Sequence, residues 1–241
     1  MCGIAGVMTA DRSVPDPDAL DTMREALAHR GPDGDAIWVS GDTGLVHTRL
    51  AIIDLKTGDQ PLFGPGGTAL VANGEIYNYI ELREEMTGSA FQTESDCEPV
   101  LHYYRDHGAD FAGWLRGMYA LAIHDPQERR LLLARDPFGI KPLYYIQSDD
   151  AFAFASEPQA LLAAGFGSRK LSERAVEELL QLQFTTGAET LYEGIRRVLP
   201  GETIVVAGGR IVDRRRQEAL PAGGPVRASE RQALERVEEA L

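Results

Sequence analysis

Apolar and polar positions along this chain fall into short runs broken by Asp, Gly and Pro, and the runs predict its elements. Residues 3–8 are almost wholly apolar, the pattern of a buried strand. Asp16-Pro17 then starts a helix. Asp16 suits the N-cap and Pro17 the first helical position, Leu20, Met23 and Leu27 share one face, and Gly31 ends it. Strands are predicted near 36–40, 44–53 and 69–73, and a helix over 96–108 with Val100, Leu101 and Tyr104 on one side. Four strands follow closely, at 118–124, 130–135, 142–147 and 151–155. Their turns contain Asp125-Pro126, Asp136-Pro137 and Asp149-Asp150, which suits antiparallel neighbours. Helices near 157–164 and 172–183 and a hairpin near 203–212 complete the body.

Many strands joined by short turns, with helices before and after and no βαβ or internal repeat, predict an α+β class with antiparallel sheets. From about 213 the pattern changes. Arg214-Arg215-Arg216 and the run Pro221 to Pro225 read as a linker. Ser229 then opens a last helix as a capping box with Gln232, its apolar face made of Leu234, Val237 and Leu241. The expected organisation is one domain over 1–212, and over 213–241 a linker and the start of a helix.

Composition narrows the function classes. Of 241 residues, 44% are hydrophobic and 25% charged, which is enough apolar material for a sizeable core. Lys and Arg number 24 against 37 Asp and Glu, so the net charge is 24 − 37 = −13. An acidic surface repels phosphate backbones and anionic lipids, which argues against nucleic acid and membrane as partners. No apolar run approaches the roughly 18 residues of a membrane span. The N-terminus lacks the basic segment of a secretory signal, and Cys2 and Cys97 suggest no disulfide framework, so a cytoplasmic location is expected.

The candidate chemistry begins at Cys2. Removal of Met1 would leave a cysteine carrying its own α-amino group, whose ordinary pKa of about 7.7–8.0 suits a base for the thiol proton. Gly3 behind it allows close backbone approach. Alone, Cys2 is more readily a small residue starting a strand. Other polar residues stand out against apolar surroundings: Arg49 in the run 47–54, Asn73-Gly74-Glu75 after the 69–73 strand, and Asp96 where the next helix opens. Singly, Arg49 could be a surface strand arginine, Asn73-Gly74 a hairpin turn and Asp96 a helix cap. The five histidines show no metal-ligand spacing, and no nucleophile elbow or Walker loop is present.

Taken in order, Cys2-Gly3, His29 to Gly34, His47 to Asp54, Asn73 to Tyr79, Glu94 to Glu98, Arg135 to Tyr145, Ala155 to Glu157, Leu191 to Ile195 and Leu199 to Gly201 resemble the glutaminase domain of asparagine synthetases. These are class II glutamine amidotransferases of the N-terminal-nucleophile hydrolase fold, and the resemblance covers Cys2 to about residue 206. It implies an αββα sandwich of two antiparallel sheets between helical layers. It implies that Cys2 attacks the side-chain amide of L-glutamine, with Asn73 and the Gly74 N–H as oxyanion donors. It implies that Arg49 holds the α-carboxylate beside Leu50, Ile52 and Ile53, and that Asp96 with Glu75 pairs with the α-ammonium. Arg30, Asp33 and 135–145 are read as structural, holding the site's walls, and Cys97 as a packed small residue.

Asparagine synthetases continue into a domain that activates aspartate with ATP through a Ser-Gly-Gly-x-Asp-Ser loop, which is absent here. No cofactor or metal is therefore expected in this chain, ATP and magnesium belonging to that further domain. The expected partners are L-glutamine and a synthetase domain or separate synthetase chain, with a homodimer also admitted. A stand-alone ammonia supplier to a different acceptor and a catalytically silent scaffold are the alternative readings.

Overall fold

A computed structural model describes residues 1–86, 88–220 and 227–240. In chain order its elements are β1 (Gly3–Thr9), α1 (Pro17–Leu27), β2 (Gly34–Ser40), β3 (Thr43–Arg49), β4 (Leu62–Phe63), β5 (Ala69–Ile76), α2 (Tyr79–Glu85), α3 (Glu98–His107), β6 (Gly117–Asp125), β7 (Arg130–Arg135), β8 (Tyr144–Gln147), β9 (Ala151–Ala155), α4 (Pro158–Ala163), α5 (Glu173–Leu182), β10 (Arg196–Arg197), β11 (Glu202–Ala207), β12 (Arg210–Arg216) and α6 (Glu230–Ala240). The strands form two six-stranded antiparallel sheets, ordered β10-β8-β9-β1-β3-β2 and β12-β11-β7-β6-β5-β4.

Strand alternation sorts the side chains into three cores. Ile4 and Met8 of β1, Leu45 of β3, Val71 of β5, Ala120 and Ala122 of β6 and Phe152 and Phe154 of β9 fill the space between the sheets. The outward set of the first sheet, including Ala5, Val7, Val46 and Ala153, packs on α1 through Leu20, Met23 and Leu27 and on α4 through Leu161. The outward set of the second, including Leu70, Ile76 and Leu121, packs on α2 through Leu82 and on α3 through Val100, Leu101 and Tyr104. The result is the expected αββα order of layers.

α1 begins as its sequence dictates. Asp16 accepts from the Asp18 N–H at 3.1 Å, with Pro17 in the first turn. The helix proper ends at Leu27, and a 3-10 turn over Ala28–Arg30 carries it to Gly31. A Cβ on Gly31 would lie 2.3 Å from the Thr48 carbonyl carbon, so only glycine lets this turn pass so close to β3.

Four expectations need correction. The strand foreseen over 44–53 stops at Arg49, because the residues after it turn away to wall a cavity. The strand foreseen over 69–73 continues to Ile76, because β6 pairs with it along its whole length, and α2 follows it. The strand foreseen over 142–147 starts at Tyr144; the Lys141 N–H before it is drawn back to Asp136 Oδ2 at 3.0 Å. Residues 213–216, read as linker, are the end of β12 and pair with Glu202 to Val205 of β11. The run 221–225 and Leu241 lie outside the described residues. At the start of α6, Ser229 N and Gln232 Oε1 lie 3.0 Å apart and Gln232 N and Ser229 Oγ 3.4 Å apart, the capping box foreseen from sequence. Leu234 and Val237 of its apolar face are exposed.

Candidate active site

Alternation along three strands gathers the chemistry. Ile4 faces the space between the sheets, so Cys2 shares its direction; Leu45 gives the same direction to His47 and Arg49, and Val71 to Asn73. β1 and β3 belong to one sheet and β5 to the other. Cys2 and Arg49 therefore face Asn73 across one end of the sandwich. An open cavity there, with about 630 Å³ of empty space, is lined by Cys2, Arg49, Leu50, Ile52, Ile53, Asn73, Gly74, Glu75 and Asp96. Every residue given a catalytic or substrate-binding role from the sequence thus lines one cavity, while Arg30, Asp33, Arg135 and Asp136 stand behind it.

On the first wall, Cys2 Sγ accepts from the Leu50 N–H at 3.3 Å and lies 3.6 Å from the Leu50 carbonyl oxygen. Arg30 Nε donates to the Cys2 carbonyl at 3.0 Å, and its Nη1 meets Glu157 Oε1 at 2.7 Å. A Cβ on Gly3 would come within 2.6 Å of Thr48 Oγ1, so the glycine after Cys2 lets β1 lie tight against β3. Met1 also lines the cavity; it is 56% exposed, and Lys141 Nζ lies 3.6 Å from its sulfur. Arg135 and Asp136 shape the turn carrying Lys141. Arg135 donates to the carbonyls of Gly139, Lys141 and Val198, while Asp136 accepts the N–H groups of Phe138, Ile140 and Lys141.

The second wall is β5 and the approach to α3. Asn73 is buried, and its Nδ2 has no hydrogen-bond partner among the described residues. A buried amide donor left unpaired costs about 1–3 kcal/mol unless another group accepts from it. The backbone beside it is equally poised. The Tyr77 N–H donates to Arg116 of the neighbouring chain segment, whereas the Ala72 and Ile76 N–H groups point to the opposite edge, to Gln60 Oε1 at 2.6 Å and Asp96 Oδ2 at 2.7 Å. The Gly74 N–H lies on that same edge, between the two. Its lack of a side chain serves packing rather than substrate approach: a Cβ would stand 2.7 Å from the Met118 carbonyl oxygen and from Tyr119.

Asp96 does not cap its helix. The N-cap position of α3 is Cys97, and the Asp96 carboxylate reaches back to pin β5 through Ile76. Burial pushes the Asp96 carboxyl above its usual range, against the pull of the Ile76 N–H and the Cys97 thiol. Burial likewise pushes the Cys97 thiol well up, with Asp96 adding to it, so Cys97 stays a protonated, packed thiol. Glu75 stands on the cavity wall opposite Met118 of β6.

Arg49 is 9% exposed and already engaged: Nη1 donates to Asp59 Oδ1 at 2.5 Å and Nη2 to the Asp54 carbonyl. Asp54 is tied in turn to Thr57 and to the Glu94 N–H, so the 50–60 loop is strapped to the approach to α3. Asp33 holds the same loop by accepting from the Ala51 N–H at 2.9 Å. Gln60, Asp59 and Met118 were not foreseen from the sequence, and Glu157 was seen there only as part of a motif, without its partner Arg30. Their contacts span 10 to 127 residues of chain, and no local pattern announces them. Among the described residues, no group of three or more His, Cys, Asp or Glu side chains is placed to hold a metal ion.

Residues 1–216 match the family described as glutamine amidotransferase domain. The chain belongs to that family. Among curated members with the same domain, asparagine synthetase (glutamine-hydrolyzing) 1 of Bacillus subtilis is 38% identical over 216 residues, covering 86% of this chain and 33% of that protein. A putative asparagine synthetase of Mycobacterium tuberculosis is 38% identical over 224 residues, covering 83% and 34%. The chain therefore spans about a third of the length of the curated relatives it matches. Two solved structures share the fold. The allosteric regulatory enzyme of purine biosynthesis superposes with a TM-score of 0.66 at 24% identity, covering 89% of this chain and 49% of that one. Glutamine phosphoribosylpyrophosphate amidotransferase from B. subtilis does so with a TM-score of 0.64. The two antiparallel sheets between helices are thus the amidotransferase form of the N-terminal-nucleophile hydrolase fold.

Proposed function

We propose that this chain hydrolyses L-glutamine to L-glutamate and ammonia through a thioester on Cys2. The observation that carries the reading is the buried, unpartnered Asn73 Nδ2 in the same cavity as the Cys2 thiol. Once Met1 is removed, the freed α-amino group of Cys2 takes the thiol proton, and the thiolate attacks the amide carbon of glutamine. Negative charge develops on the amide oxygen, where the Asn73 side-chain amide and the Gly74 N–H stabilise it. The C–N bond then breaks, the nitrogen takes the proton from the Cys2 ammonium, and ammonia leaves. Water attacks the thioester, gives its proton to the same amine, and glutamate departs with the thiol restored.

Arg49 donates its N–H groups to the α-carboxylate of the substrate, and Asp96 with Glu75 faces the α-ammonium. The two opposite charges select an amino acid over a simple amide. In the likeness of its asparagine synthetase relatives, the ammonia serves an ATP-dependent amidation carried by a further domain or chain, with aspartate as acceptor. The test is to incubate the purified chain, with Cys2 verified as its first residue, with glutamine, aspartate, ATP and magnesium. Glutamate should form without asparagine or AMP. Asparagine or AMP would reveal a nucleotide site in these residues, and no glutamate at all would contradict the reading.

A further inference from the structure

The residue proposed to grip the substrate carboxylate already holds a carboxylate. Arg49 is buried and lines the cavity, yet its Nη1 is taken by Asp59 and its Nη2 by the Asp54 carbonyl. The two contacts differ in kind. The Asp54 carbonyl belongs to a turn fixed by Thr57 and Glu94 and cannot leave without undoing it. Asp59 approaches from the solvent side, with 84% of its side chain exposed although its partner is only 10% exposed. Its neighbours are held on both sides: the Gly58 N–H donates to the Asp54 carbonyl at 3.2 Å, and the Gln60 side-chain oxygen accepts from the Ala72 N–H at 2.6 Å. What can move is the Asp59 side chain, by rotation into water.

From this geometry we infer that Asp59 is a resident competitor of the substrate: its carboxylate holds Arg49 Nη1, and the α-carboxylate of glutamine displaces it to bond to that group. The inference rests on the reading of Arg49 as the carboxylate-binding residue. Displacement is cheap, because an exposed carboxylate released to water regains its hydration, and rim pairs of this kind are weak. The same contact keeps a buried guanidinium paired when no substrate is present, where an uncompensated charge would otherwise face the cavity. Asp59 therefore tunes how tightly glutamine binds without touching the bond that breaks.

The experiment is a double-mutant cycle on glutamate release by the processed chain, with wild type, Asp59→Asn, Arg49→Ala and the double variant. Asp59→Asn should lower KM for glutamine about two- to fivefold with kcat held, the size of an exposed ion pair. It should have no such effect in the Arg49→Ala background. A second ligand separates competition from a general change in the site. 4-Aminobutanamide is glutamine without its carboxylate, and its inhibition constant should not improve in Asp59→Asn. The inference is overturned if a folded Asp59→Asn variant leaves KM unchanged or raises it while Arg49→Ala raises it strongly. An equal gain for 4-aminobutanamide would overturn it too. If Arg49→Ala itself leaves KM unchanged, it is the carboxylate reading of Arg49 that fails.

Discussion

The two walls of the cavity are built differently. The β5 wall is regular sheet: Asn73 and Gly74 lie in mid-strand, paired with Ala120 and Tyr119, and Asp96 is buried and bonded to the same strand. The facing wall is a strand end followed by a loop. Arg49 closes β3, and beyond it Ile52 and Leu55 are 72% and 69% exposed. Groups that must meet a developing charge in one geometry sit on the frame, where sheet pairing fixes them in advance. The proposed carboxylate grip, Arg49, sits where the strand gives way to the loop, and there its side-chain bonds to the loop can exchange. Substitution of the proposed oxyanion donor in β5 should therefore act on kcat, and substitution of Arg49 at the strand end on KM.

Asn73→Ala gives the largest effect expected to sharpen this contrast. It removes the proposed oxyanion donor, so kcat should fall roughly 10²–10³-fold with KM little changed. Steady-state glutamate release reads both, and a loss confined to KM would break the contrast.

The rigidity of the frame can be tested separately through His47. This residue of β3 is buried, and burial pushes its pKa down to about 4, against an ordinary value near 6.5, with Arg49 adding to the depression. The folded protein keeps His47 neutral where the unfolded chain would protonate it. Stability is thus fully present above pH 6.5 and lost as pH falls towards 4, by on the order of 3 kcal/mol. Denaturant unfolding at pH 7 and pH 4.5 measures the loss, which should shrink in a folded His47→Gln variant. An identical loss in that variant would show that other groups carry it.

Arg49→Ala comes next. Losing a charge-assisted hydrogen bond of about 1.5–3 kcal/mol should raise KM roughly 10–10²-fold with a smaller change in kcat. A large fall in kcat at unchanged KM would place Arg49 with the chemistry instead of with binding.

The frame was far more legible in the sequence than the loop. Strand parity, the Asp16-Pro17 helix start and the Leu20, Met23 and Leu27 face are local rules, and the sheets and α1 obey them. Local rules misled where tertiary contacts decide. Asn73-Gly74 carries a turn signal, yet β6 holds it in register as strand. Asp96 stands where a cap belongs, but its carboxylate finds the Ile76 N–H twenty residues back. The run from Leu50 to Ile53 is apolar like a strand, yet it walls the cavity with Ile52 largely exposed. The identity of the site came from several motifs in a fixed order, whereas the Arg49–Asp59 contact had no sequence signal, because it joins a strand end to a loop through space.

The central claim is that Cys2 works with its own α-amino group as base, and Met1 is the most direct handle on it. Two homogeneous preparations, one beginning at Cys2 and one retaining Met1, should be verified by mass spectrometry and by equal thermal stability, then compared for glutamate release. In the Met1-bearing form the nitrogen of Cys2 is an amide that cannot accept a proton, and Met1 itself stands in the cavity lining. The account predicts that the form starting at Cys2 hydrolyses glutamine while the Met1-bearing form is nearly inactive although folded. Full activity in the Met1-bearing form would contradict it.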